Sequence, residues 1–113
     1  MQHDQSLIVD MLRFARQAAE AGNQLTIEQL ENSPILQATV LWPLTLLGEA
    51  ASKVSAECRD ANPDIPWRKI TGLRNVLIHD YSGVDFAAVH QVLRVHVPDL
   101  IVLQTLADDP KTD

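Results

Sequence analysis

The sequence predicts an all-α protein, an antiparallel four-helix bundle with one short extra helix. Three observations carry that prediction. Apolar residues recur at three- and four-residue steps through most of the chain, the period of a buried helical face. Cap residues and prolines punctuate those stretches where helices start and stop. No stretch shows the sustained alternation of a strand, and no internal repeat or low-complexity segment interrupts the pattern.

The first helix is predicted from LIVDMLRFARQAAEAGN, in which Leu7, Met11, Phe14, Ala15 and Ala18 share one face and Gly22 with Asn23 is placed to end it. TIEQLENSP follows. Its Thr26 stands three residues before Gln29, a capping-box pattern for a short helix that redirects the chain. Ser33 as N-cap and Pro34 at the first helical position then begin a long helix, SPILQATVLWPLTLLGEAASKVSAECRDA. Pro43 lies inside it and removes a backbone donor, so a kink is expected near Val40 to Trp42. Gly48, Ala50, Ala51 and Ser52 are small enough for another helix to come close.

NPDIPW reads as an extended connector, with Pro66 at the first position of the next helix, WRKITGLRNVLIHDY, which Gly83 is placed to end. Asp85 is the expected cap of the last helix, DFAAVHQVLRVHVPDLIVLQTLA. Its core face is Phe86, Val89, Leu93 and Val97, with a bend or break at Pro98. Short connectors between these helices make neighbours antiparallel. The end of the chain, residues 107–113, reads as a frayed tail.

A length of 113 residues suits one domain spanning 1–113, and 46% hydrophobic against 21% charged residues is enough for a continuous core. The formal charge of −6 does not attract phosphate backbones, so any nucleic-acid contact has to come from a local cluster of cations. Cys58 is the sole cysteine, which rules out an intramolecular disulfide and disfavours a thiolate metal site. It reads as a small, partly buried residue near a helix end. No apolar run approaches the roughly 20 residues of a membrane span, and the start MQHDQSLIVD does not resemble a signal peptide. A cytoplasmic setting is the expectation.

Most of the chemistry is concentrated in RNVLIHDY, residues 74–81. At about 100° per residue, Arg74 and Tyr81 share a helical face, whereas His79 lies about 140° round from Arg74. A helix that carries both to one site has to end or distort near His79, or the site has to combine two chains. Asn75, four residues before His79, can orient its imidazole, while Val76, Leu77 and Ile78 read as core. Spacing alone leaves two readings open: a functional cluster, or a helix-end histidine beside a solvated arginine. His90 and His96 are six residues apart, not the three or four of a two-histidine metal site, and His3 lies near the start of the chain. No metal and no cofactor are expected. Trp42 reads by default as core.

The segments IPWRKITGLRNVLIHDYSGVD, residues 65–85, and LGEAASKVS, residues 47–55, resemble the HepT-like branch of the HEPN superfamily. These are small all-α proteins, the toxin partners of minimal nucleotidyltransferases. The family's ribonuclease signature, an arginine, four residues, a histidine, one residue and a tyrosine, falls here on Arg74, His79 and Tyr81, and Asn75 also matches. The resemblance implies metal-independent RNA cleavage, with Arg74 and His79 as catalytic residues and Asn75 in support. It further implies a homodimer that brings two His79 side chains to one cleft; Arg68 and Lys69 read either as added positive charge for that cleft or as ordinary surface cations. Tyr81 corresponds to the tyrosine that a cognate nucleotidyltransferase antitoxin modifies with AMP to silence the toxin.

One departure stands out. Where relatives carry a charged pair in the helix before Gly-Glu-Ala, this chain has Trp42, Pro43 and Leu44. Together with the −6 charge, that keeps a second reading beside the first, a non-catalytic subunit that binds nucleotide or the nucleotidyltransferase.

Overall fold

The computed structural model describes residues 4–75, 84–96, 100 and 103–108. Helix α1 spans Asp4–Gly22, α2 Ile27–Asn32 and α3 Pro34–Ser52. Next come α4, Ala56–Ala61, and α5, Trp67–Gly72, which tightens into a 3-10 turn at Leu73–Asn75. Helix α6, Phe86–Gln91, continues into a π-helical turn at Val92–His96, and α7 spans Leu103–Ala107. The fold is all-α, and the described residues include no strand.

Helices α1 and α3 form the central pair, and hydrogen bonds at their ends fix their direction. The Asp4 carboxylate, at the start of α1, accepts from the Ser55 backbone N–H at 2.9 Å and from the Ser55 hydroxyl at 2.6 Å, just beyond the end of α3. The start of α3 is meanwhile tied to α2, which follows the end of α1. The buried Gln37 amide donates to the carbonyls of Leu30 and Glu31 at 3.0 and 3.1 Å, satisfying two acceptors that the end of α2 leaves open. The two helices therefore run antiparallel. On another side of α1, Gln5 donates to the Ala107 carbonyl at 3.0 Å and Arg16 to Gln104 Oε1 at 2.6 Å, so α7 also runs against α1.

The caps follow the sequence closely. Thr26 and Gln29 form both bonds of the capping box, Ser33 accepts from the Leu36 N–H with Pro34 in the first turn, and Asp85 accepts from the N–H groups of Ala87 and Ala88. Leu7, Met11, Ala15 and Ala18 are buried as expected, with Ile8 and Leu12 widening the apolar face of α1 and Phe14 packing at its edge. Phe86, Val89 and Leu93 are buried in the last helical segment; Val97 and Pro98 lie outside the described residues.

Three expectations are corrected. The long helix begun at Pro34 stops at Ser52 instead of running on to Ala61, because Ser55 has extended dihedrals and caps a separate α4 through the Cys58 N–H. Pro66 is the N-cap of α5, with ψ at 69°, and not its first helical residue. The α5 segment changes helix type at Leu73–Asn75, while the end or distortion expected near His79 falls outside the described residues. Helix α1 ends at Gly22 as expected; the left-handed residue beyond it is Gln24, φ 66°, and Gly22 also packs closely against Leu93. Trp42, expected in the core, is 58% exposed. The last is explained by its neighbours: Leu41 and Leu44 occupy the inner face of α3, and Trp42 shares the outer face with Ile35, 79% exposed and seven residues earlier. Helix α3 runs through Pro43 as one element.

Candidate functional site

Arg74 sits in the middle of the 3-10 turn that ends the described part of the α5 segment. Its backbone is held by contact with α3. A Cβ built on Gly48 would lie 2.5 Å from the Arg74 nitrogen and 2.8 Å from the Ile70 carbonyl oxygen, so only glycine lets the two segments approach this closely. Ile70 is buried and Leu73 packs against the core, which leaves the Arg74 side chain exposed. No described residue forms an ion pair with Arg74. An exposed guanidinium that pairs with no described residue, on a clamped backbone, is a fork able to engage a phosphate.

The other end of α5 is anchored by a chain of backbone-directed bonds. Trp67 Nε1 donates to the Asn62 carbonyl at 2.9 Å, Asn62 Nδ2 donates to the Cys58 carbonyl at 2.8 Å, and Ile65 is buried between them in sequence. Connector, α4 and α5 thus form one arm folded over α3. Arg68 and Lys69 are both exposed on it.

Of the residues singled out in the sequence, Arg74 is placed here. His79 and Tyr81 lie outside the described residues, as does the side chain of Asn75. Burial pushes the Cys58 thiol above its ordinary range, with the Asp4 charge adding to the effect, so it is a poor nucleophile near neutral pH. His90 is engaged structurally, its Nε2 lying 2.8 Å from the Leu25 carbonyl, which fixes a proton on that nitrogen. Among the described residues no group of three His, Cys, Asp or Glu side chains could hold a metal ion. No described helix is long and apolar enough to cross a membrane.

Sequence reasoning missed two features. Gly48 was expected to permit close packing, but its partner, the backbone of Arg74, was not predicted. The groove in which Arg59 and Trp67 meet was also not anticipated. Its signal was present as the tryptophan of IPW, which proves to be only half buried.

The chain belongs to the ribonuclease HepT-like family of the HEPN superfamily, whose sequence model matches residues 11–104. Among curated relatives, "Putative RNase MJ1380" of Methanocaldococcus jannaschii is 27% identical over 95 residues, covering 84% of this chain and 87% of that protein. "Putative RNase TTE0752" of Caldanaerobacter subterraneus is 29% identical over 76 residues, 67% of this chain and 68% of the relative. "Probable ribonuclease HepT" of Thermococcus cleftensis is 33% identical over 64 residues, 57% of this chain and 58% of the relative. No solved structure matches the chain.

Proposed function

We propose that this chain is the ribonuclease toxin of a type II toxin–antitoxin pair, cleaving RNA without a metal at a site built from Arg74 and His79 of two copies. The observation that carries the reading is Arg74, exposed and paired with no described residue, its backbone clamped against Gly48 and five residues before His79 within the family-matched segment. In the proposed reaction the 2′-oxygen attacks the adjacent phosphorus and the bond to the 5′-oxygen breaks. One His79 takes the 2′-hydroxyl proton, and the partner copy's histidine gives a proton to the leaving oxygen. Arg74 neutralises the charge that builds on the non-bridging oxygens. Asn75 supports the His79 imidazole. The products are a 2′,3′-cyclic phosphate and a 5′-hydroxyl.

Pairing of two copies is favoured by the outer face of α3. No charged residue occurs from Pro34 to Gly48, and this face leaves Ile35 79% and Trp42 58% exposed. Of the three residues of the Trp42-Pro43-Leu44 departure, Pro43 and Leu44 are buried within the chain and Trp42 alone is exposed, so Trp42 is the one that would gain from a modified dimer contact. Regulation follows the family logic: a cognate minimal nucleotidyltransferase transfers AMP to the Tyr81 hydroxyl, placing bulk and negative phosphate beside the cleft.

The test is digestion of total RNA by unmodified protein in EDTA, with His79→Ala alongside. Cleavage by the parent alone, leaving cyclic-phosphate ends, is expected. Equal cleavage by both removes His79 from the mechanism, and no cleavage by either favours the non-catalytic subunit that binds nucleotide or nucleotidyltransferase. Incubation with the cognate transferase and ATP should add AMP mass to the parent but not to Tyr81→Phe.

A further inference from the structure

A groove of about 570 Å³ opens between α4 and α5, away from the Gly48 contact. Arg59, Asp60, Trp67, Arg68 and Thr71 line it. Two guanidinium groups against one carboxylate leave it locally positive on a chain of net charge −6. Arg59 Nε is buried without a hydrogen-bond partner, a donor that an incoming acceptor would satisfy. Trp67 is half buried, and its Nε1 bond to the Asn62 carbonyl fixes the indole at the groove wall. A fixed aromatic wall beside two guanidinium forks is the chemistry that holds a nucleotide, with phosphate on the arginines and base on the ring.

The placement relative to Arg74 matters. Trp67, Thr71 and Arg74 follow at steps of four and three residues along the α5 segment, so the groove and the Arg74 turn lie along one side of the same arm. About seven residues of helical rise, roughly 10 Å, separate them. A single strand of RNA engaged at Arg74 can reach the groove without leaving the protein.

We propose that the α4–α5 groove is an RNA subsite that takes one nucleotide of the single strand outside the scissile bond, its phosphate on Arg59 and Arg68 and its base against Trp67. This rests on the ribonuclease reading of Arg74 and adds where the substrate is gripped. Trp42 and Trp67 are the only tryptophans, so a Trp42→Phe, His79→Ala protein reports on Trp67 alone and leaves RNA uncut. An unstructured RNA decamer titrated into it should quench the tryptophan emission. Arg68→Glu should raise the midpoint about ten-fold, the scale of one lost stacking-and-charge contact. Arg13→Glu, on the exposed side of α1, is the charge-matched control and should leave the midpoint within about two-fold.

Absence of quenching overturns the proposal, as does equal weakening by both charge reversals. AMP quenching at the same concentration as the decamer also overturns it, because the groove would then belong to free nucleotide. Cleavage by the His79-intact protein separates this from the ribonuclease reading. Cleavage with Trp67 unquenched removes the subsite and leaves the nuclease; quenching without cleavage keeps the subsite and removes the nuclease.

Discussion

Two glycines sit where helices touch, and they meet different things. A Cβ on Gly22, at the end of α1, would lie 2.7 Å from Cδ1 of Leu93, the tip of a side chain. A Cβ on Gly48, within α3, would lie 2.5 Å from the Arg74 nitrogen and 2.8 Å from the Ile70 carbonyl oxygen, both backbone. A leucine tip can change rotamer, whereas a helical backbone has to move as a unit. The first contact packs the core; the second sets the position of the candidate catalytic arginine.

Gly48→Ala is the largest expected effect. Helix propensity alone would make it stabilising by about 1 kcal/mol. The clash should reverse that sign and destabilise the fold by about 3 kcal/mol, read from urea unfolding. Activity should fall further than the unfolded fraction explains, because the relief available is displacement of the Leu73–Asn75 turn and Arg74 with it. A variant more stable than the parent, with normal RNA cleavage, would show that the arm is not clamped at Gly48.

Gly22→Ala should cost less, about 1 kcal/mol net, since Leu93 can partly withdraw. The comparison is sharpened by a double-mutant cycle. In a Leu93→Ala background the 2.7 Å clash with Cδ1 disappears and only the Cβ at 3.2 Å remains, so Gly22→Ala should cost clearly less. If Gly22→Ala costs the same in both backgrounds, its partner is not Leu93. No shift in cleavage beyond the stability loss is expected, which is the contrast with Gly48.

The helices were legible because caps and apolar periodicity are local signals. Thr26, Ser33 and Asp85 each do what their side-chain chemistry prescribes within three residues. What was not legible is long-range or locally ambiguous. Ser55 looked like a helical residue in a continuous run, and nothing nearby in sequence reveals that Asp4, 51 positions away, binds its N–H and hydroxyl. Trp42 was assigned to the core on residue type, which cannot tell an inner from an outer face when α3 is apolar on both. For the site, the Arg74, His79 and Tyr81 pattern could be read directly, but the placement of Arg74 against Gly48 required the fold.

The smallest effect concerns the root of the arm. Cys58 in α4 accepts from Asn62 through its carbonyl, and Asn62 in turn accepts from Trp67, so the arm hangs from this turn. Burial raises the thiol's pKa in the fold and so weakens it as an acid, with Asp4 contributing. The sign follows. As pH climbs past the usual thiol range, the unfolded chain releases that proton while the folded chain still holds it, so alkali favours unfolding. Below that range the term is fully present and constant. The melting temperature should therefore fall more steeply with rising alkaline pH in the parent than in Cys58→Ala, since every other alkaline group is common to both. Parallel slopes would mean that the thiol is as free to ionise folded as unfolded, and that the arm's root is open to water. Because Gly22 and Leu93 lie outside this arm, Gly22→Ala should leave the slope difference intact, whereas Gly48→Ala, by lifting the arm, should shrink it.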